Sequence, residues 1–521
     1  MGQIRIGATP PIHTGQIARG CLNIIKKKKG EKKTQPSKSK GRRGFRAAAA
    51  KDSTAAMATA VRLLRRGLRA GEAAPRFLST SQNLVQRVAY NTRSVDVGQP
   101  TPRSHPELLA EGEITPGITS DEYISRRKKL LEVLPEKSLA IIASAEQQMM
   151  TDVVPYPFRQ NGDYLYITGC AQPGGVAVLS EETGLCMFMP DTSKEDVVWQ
   201  GQTAGVEAAE NFFKADKAFP LSEMQKILPE MIERSKVVYH NVKTLSPSYK
   251  NLDSFRRASL NNKVKDIAYY TDELRWIKSK SEIGLMRESA SIVSQSLLQT
   301  MLLSRTHREE SQLAAKIEYE CKMRGAQRMA FHPVVGGGAN GSVIHYSRND
   351  GRVKAGELLL MDVGCEYQGY LSDLTRTWPP CGRFSPAQVK MLIKGFQELG
   401  ILEKGKSIQY NYLNPTAIGH SLGMDIHDSV KLSKDKPLEP GVIITIEPGV
   451  YIPPVPILKE NAPDRYRGIG IRIEDEVLIT ESGHEVLTAS VPKEISHITT
   501  LMNMGSSNSM MDAHELRAAC N

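Results

Sequence analysis

Five residues, each placed where an apolar run stops, constrain this chain more than anything else in it: Asp362, Asp373, His420, Glu447 and Glu474. They lie in the strings LLLMDVGCEYQGYLSDLTRTW, AIGHSLGMDIHD, GVIITIEPGVY and GIGIRIEDEVLIT. Short runs rich in Leu, Ile, Val and Thr between glycines read as strands. Each carboxylate therefore ends or interrupts a strand, and a fold that gathers these strands gathers four negative charges. Four carboxylates cannot share a cavity uncompensated. A pair of divalent cations is the natural counter-charge, and an oxygen-rich set with one imidazole suits Mn, Co or Zn. Taken singly, each of the five is an ordinary strand-end residue. As a set they predict a dinuclear hydrolytic metal centre.

The same region carries a faint internal repeat. KAGELLLMDVG (354–364) and EPGVIITIEPG (439–449) align without gaps, placing Gly356 on Gly441, Asp362 on Glu447 and Gly364 on Gly449. Each copy is a glycine-initiated turn, a buried strand and a terminal carboxylate, so a duplicated α/β half supplies ligands from equivalent strands. The first half has two helices before its strands, about 281–303 and 308–324. The second passes from GRFSPAQ into a single helical stretch, VKMLIKGFQELGI (389–401), so one helix is expected to be absent after residue 388.

Charge places the basic character of the chain at its beginning. Residues 1–56 hold 14 Lys/Arg against two acids, and residues 57–103 eight against two, whereas 104–521 carry a small excess of acids. Residues 1–56, with KKKKGEKK and KSKGRRGFR, lack hydrophobic periodicity and read as a disordered basic extension or an over-extended start before Met57. Such a tail is the one segment suited to a nucleus or a nucleic acid; the acidic folded core is not expected to bind nucleic acid. Residues 57–104 are rich in Arg, Ser and Ala, open with an amphipathic basic stretch, and read as an organellar transit peptide and linker. Arg76-Phe77-Leu78-Ser79 has the form of a mitochondrial processing site. A mitochondrial location follows, on the matrix side, ahead of chloroplast or nucleus. The seven cysteines are scattered without a C-x-x-C pair, which fits a reducing compartment. No apolar run approaches the roughly 20 residues of a membrane span.

A first domain is expected over 105–262. A helix over about 120–134 leads into the strand SLAIIAS, followed by FRQNGDYLYITG (158–169), GGVAVLS and GLCMFMP. The pair LSEMQKILPEMIER and KVVYH completes an alternating α/β pattern. A helix over 271–289 opens the second domain, 263–500, and a polar tail occupies 501–521.

From about 105 to 500 the chain resembles the aminopeptidase P and prolidase family, and within it the mitochondrial members. The motifs that carry the likeness are the Asp-x10-Asp spacing of Asp362 and Asp373, GHSLGMDIHD, TIEPGVY, RIED and FRQNGDYLYITG. The resemblance implies an α/β (α+β) chain with a creatinase-like N-terminal domain and a duplicated pita-bread metallopeptidase domain. It implies an aminopeptidase that takes peptide or protein N-termini as substrate, removes one residue, uses two divalent metals, most often Mn, and forms homo-oligomers. By the same resemblance Asp362 holds one metal, His420 and Glu447 mainly the other, and Asp373 and Glu474 both, with a hydroxide between the metals attacking the first peptide carbonyl. His345 and His427 would hydrogen-bond substrate and the charge that develops on it. Phe331 would line the substrate site, and Arg472 would sit beside Glu474.

Three positions depart from the family pattern. Thr416 stands where many relatives have a histidine, and Trp199-Gln200-Gly201-Gln202-Thr203 lacks the usual terminal arginine. Asp373 and His420 are only 47 residues apart, the segment from which the helix is missing. The mitochondrial likeness favours removal of a Tyr, Phe or Leu left by presequence cleavage. A general Xaa-Pro specificity, an isoform impaired by the shortened segment, and an inactive fold used for binding are the competing readings.

Overall fold

The computed structural model describes residues 97–244, 246–386, 388, 414–455 and 463–503, all within one compact unit, Val95–Asn521. The leader, residues 1–96, and the segment at which a missing helix was expected, 389–413, lie outside the described residues.

The N-terminal part is a six-stranded mixed sheet. Its strands are β1 (Ser138–Ala143), β2 (Val176–Ser180), β3 (Gly184–Met189), β4 (Lys217–Pro220), β5 (Val237–His240) and β6 (Val264–Asp266), in the spatial order β4-β3-β2-β1-β5-β6. β1, β2 and β3 are antiparallel neighbours, while β4, β5 and β6 join in parallel. All six residues of β1 are buried, as a central strand covered on both faces requires. One face packs under α1 (Ser120–Val133) and α2 (Gly162–Thr168), around Leu130, Tyr164 and Ile167. The other packs under α3 (Met224–Arg234), around Met224, Leu228 and Ile232. The string FRQNGDYLYITG supplies α2, with Asn161 accepting from the Tyr164 amide at its start and Gly169 in the left-handed region at its end.

The helix expected over 271–289 is two helices. α4 (Ala268–Trp276) stops at Ile277, whose backbone is extended, and α5 (Lys280–Leu303) begins with a capping box in which Ser279 and Glu282 satisfy each other's amides. The local signal was the Ser-x-x-Glu pattern, which starts a helix even inside a helical stretch. α5 and α6 (Glu310–Met323) then pack side by side.

Beneath them lies an antiparallel sheet of β7 (Val334–Gly337), β8 (Leu359–Val363) and β11 (Leu374–Trp378), with β9 (Cys365–Tyr367) and β10 (Tyr370–Leu371) forming the hairpin between the last two. The second half repeats the plan with β12 (Ile443–Ile446), β13 (Gly449–Ile452), β14 (Ile469–Arg472), β15 (Asp475–Thr480) and β16 (Gly483–Val486). The aligned glycines behave alike: Gly356 and Gly441 both have positive φ, +79° and +96°, before β8 and β12. That conformation costs glycine little and other residues more. Helix Ile495–Asn503 closes the described chain, with Met502 buried.

Among the described residues no helix is long and apolar enough to cross a membrane, and Cys170, Cys186, Cys321, Cys365 and Cys381 are free thiols. The core of the second part joins Val293, Leu297 and Met301 of α5 to Leu313 and Ile317 of α6 and to Leu359, Met361 and Trp378 of the sheet. Leu297 is fully buried there. Leu297→Ala is expected to cost about 2–5 kcal/mol, measured as a lowered midpoint in urea at unchanged slope.

Candidate metal centre

The five strand-end residues converge. Asp362 is the fourth residue of β8 and pairs in register with Thr375 of β11. Asp373 immediately precedes β11, and Glu447 immediately follows β12. Glu474 lies between β14 and β15, and its amide donates to the Thr375 carbonyl at 3.0 Å, setting it beside Asp373. Arg376, fully buried, fastens the same junction by donating to the Glu474 carbonyl at 2.5 Å and to Asp475 at 2.7 Å. His420 runs alongside β12: its amide donates to Thr445 Oγ1 at 3.1 Å, and its carbonyl accepts from the Thr445 amide at 2.8 Å. This approach is possible because residue 419 is glycine; a Cβ there would stand 1.9 Å from the Thr445 carbonyl oxygen.

One donor atom each from Asp373, His420 and Glu474 fall within 4.8 Å of one another. His420 Nε2 is 3.5 Å from both Asp373 Oδ2 and Glu447 Oε1. Asp362 is joined to the group through Arg472, whose guanidinium donates to Asp362 Oδ2 at 2.6 Å, to Thr375 Oγ1 at 2.9 Å and to the Tyr451 hydroxyl at 2.7 Å. Arg472 was expected beside Glu474; its ion pair is with Asp362.

The electrostatics of this cluster are unfavourable without a cation. Burial first, then the charges of Glu474, Asp362 and Glu447, push the Asp373 carboxyl well above its ordinary pKa. Burial, Asp362 and Glu447 do the same to Glu474, against Arg472 and a hydrogen bond from Thr375. Burial raises Glu447 too, with His420 and Arg472 pulling the other way. Asp362 Oδ1 is buried with no hydrogen-bond partner. A buried orphan oxygen among crowded carboxylates and one imidazole is what a divalent pair satisfies, so the donor set fits the metals that the sequence implies.

Two further predicted residues, His427 and His345, neighbour this cluster. The His427 ring lies edge-on to His420, with centroids 4.4 Å apart. Burial, then the neighbouring His420 and His345, hold the His427 imidazole below its ordinary pKa, which favours the neutral ring. His345 and His427 are both exposed at the mouth. Phe331 is half-buried and lies over Gly364, where a Cβ would come within 2.8 Å of its ring. Thr416 hydrogen-bonds Asn414 at 3.0 Å.

The sequence reading passed over three residues at the site. Thr375 Oγ1 donates to Glu474 Oε2 at 2.7 Å, Thr445 contacts Glu447 and His420, and Glu476 Oε1 accepts from the Asp373 amide at 3.0 Å. Each stands two residues after or before one of the clustered carboxylates. Strand side chains alternate with a period of two, so the pattern Asp-x-Thr, Thr-x-Glu and Glu-x-Glu was the available signal.

Strands that end in carboxylates, two pseudo-equivalent halves and an acidic cavity ringed by histidines define a two-metal peptidase. Residues 123–239 match the family aminopeptidase P, N-terminal domain, and residues 284–399 and 394–481 match metallopeptidase family M24. Over 452 residues the chain is 57% identical to the mitochondrial intermediate cleaving peptidase 55 of Arabidopsis thaliana, spanning 81% of this chain and 90% of that protein. It is 33% identical over 470 residues to Xaa-Pro aminopeptidase 3 of Homo sapiens, spanning 79% and 91% respectively. The structure of Escherichia coli aminopeptidase P with the inhibitor Pro-Leu superposes with a TM-score of 0.68 at 31% identity, over 75% of this chain and 100% of that one. The chain belongs to metallopeptidase family M24, in its aminopeptidase P group, and is a metallo-aminopeptidase. The family depends on two metals.

The raised carboxyls give a pH signature. An acid whose pKa is raised on folding keeps its proton longer in the folded chain, so the metal-free protein loses stability as pH rises above about 4. Divalent metal offsets that loss and competes with the same protons. The rise in melting temperature caused by Mn is therefore expected to be larger at about pH 7.5 than at about pH 5.5. An equal rise at both would contradict the account.

Proposed function

We propose that this protein is a mitochondrial aminopeptidase that removes a single N-terminal Tyr, Phe or Leu from proteins already cut by a presequence peptidase. The observation that carries the chemistry is the convergence of Asp373, His420 and Glu474 within 4.8 Å, with Asp362 and Glu447 beside them. The likeness to a plant mitochondrial intermediate cleaving peptidase supports the location and the substrate class.

In this reading Asp362, Asp373, His420, Glu447 and Glu474 hold two divalent cations, Mn in the first instance and Co or Zn as alternatives. Bound there, the cations supply Lewis-acid polarisation and an activated water. His427, whose imidazole burial and the neighbouring His420 and His345 hold below its ordinary pKa, donates an N–H toward the first peptide carbonyl oxygen, and His345 assists beside it. Phe331 gives one apolar wall. Arg472 holds Asp362 in place and shares its charge. The domain boundaries expected at 105–262 and 263–500 and an assembly of several copies belong to the same proposal.

Two alternatives have their own support. Relatives named Xaa-Pro aminopeptidase favour a proline in the second position. Family M24 matches in two stretches, 284–399 and 394–481, that overlap at 394–399, between Asp373 and His420 where the sequence lacks a helix, which favours an impaired chain. Mn-supplemented protein is to be tested on a Tyr-Ser-led and a Tyr-Pro-led peptide. Preference for Tyr-Ser supports the proposal, preference for Tyr-Pro the first alternative, and silence on both, restored by inserting a relative's segment, the second. His427→Ala is expected to lower kcat by about 100- to 1,000-fold, the usual effect of losing one transition-state donor, with KM changed far less.

A further inference from the structure

Between the region matching the aminopeptidase P N-terminal domain and the metal centre lies a chain of buried ion pairs that the reaction itself does not use. Asp163 on α2 binds Arg275 of α4 at 3.0 Å. Arg275, almost fully buried, reaches Asp425 at 2.7 Å and Asp428 at 2.5 Å. Lys278, also buried, stands 3.4 Å from the other oxygen of Asp428. These two aspartates flank His427 in the loop that begins at His420, and the loop is closed by the Asp428 amide donating to the Ser421 carbonyl at 3.0 Å.

Arg159, in the same N-terminal string as Asp163, approaches from a second direction. Its Nη2 donates to the Met424 carbonyl at 2.5 Å, and its Nη1 is 3.5 Å from Asp425. Its Nε donates to Glu366 at 2.6 Å. Glu366 is on β9, in the hairpin between Asp362 and Asp373. One guanidinium thus ties the loop bearing His420 and His427 to the hairpin whose two ends bear the first pair of carboxylates.

We propose that Arg159 and Asp425 are positioning residues for His427: the N-terminal part acts on the reaction by clamping the His420–Asp428 loop against the Asp362–Asp373 hairpin. This rests on the role given above to His427. An exposed histidine held only by its own backbone would sample several rotamers and lose part of its effect on a developing charge. Two charged anchors, one on each side of it, restrict the backbone that carries it. The arrangement also accounts for two features of FRQNGDYLYITG at once, an arginine that points away from its own domain and an aspartate buried under it.

The test uses variants that leave no buried charge alone. Without Arg159, Glu366 keeps Arg328 at 2.5 Å; without the Asp425 charge, Arg275 keeps Asp163 and Asp428. Arg159→Gln and Asp425→Asn are each expected to lower kcat roughly tenfold or more with KM and melting temperature nearly unchanged. Arg159→Lys, which cannot reach both sides with a planar fork, should rescue only partly. In a His427→Ala background the same substitutions should add little. The imidazole resonances of His427, identified by their loss in His427→Ala, should shift in both variants and stay in place in the remote control Lys322→Gln. Full activity and unmoved resonances in Arg159→Gln and Asp425→Asn would overturn the inference, as would an undiminished effect in the His427→Ala background. Wild-type activity in His427→Ala would instead overturn the role assigned to His427.

Discussion

Mutual repulsion among buried carboxylates is the constraint around which this molecule is arranged. Asp362, Asp373, Glu447 and Glu474 cluster together, and among the described residues Arg472 and His420 are the basic groups that approach them within 4 Å. Bringing such groups out of water costs several kcal/mol per ion unless each is paired. The fold holds them together, and a divalent pair bound there would supply the charge that offsets their repulsion. The strands that carry them are accordingly buried and hydrogen-bonded: Thr375 Oγ1 bonds Glu474 and Arg472, and Arg376 bonds the Thr375, Glu474 and Val491 carbonyls and the Asp475 carboxylate.

Duplication gives the centre its geometry. β8 and β12 start from glycines with the same backbone conformation and deliver a carboxylate at the same offset. The halves are not interchangeable, however. Asp362 lies within its strand and is braced by Arg472, while Glu447 lies beyond its strand and is braced by Thr445 and His420. An approximate repeat thus produces two unlike sides of one cluster.

The six-stranded N-terminal sheet is more than a neighbour. Its α2 and the following α4 reach the loop bearing His427 through Asp163 and Arg275, and α1 reaches the second part through Arg126, which pairs with Glu282 at the start of α5 and contacts the buried Tyr370. Buried ion pairs contribute less to stability than to fixing one arrangement. Here they join the loop of His427 and the hairpin of Tyr370 to the N-terminal part.

Much of this was legible in the residues. The five clustered residues, the strands beside them, the order of helix and strand in the N-terminal part and the pair of helices α5 and α6 follow from apolar periodicity and from polar residues placed where that periodicity stops. The break between α4 and α5 was legible too, in Ser279 and Glu282, but a continuous helical pattern masked it. What the sequence could not decide was partnership. That Arg472 pairs with Asp362, that Glu476 supports Asp373 from 103 positions away, and that Arg159 spans the Glu366 hairpin and the loop of His427 depend on the packing of distant strands. Local composition determines which residues form strands and which carry charge; only the tertiary arrangement decides which charges meet, because meeting is set by sheet register and helix packing over separations that no local pattern encodes.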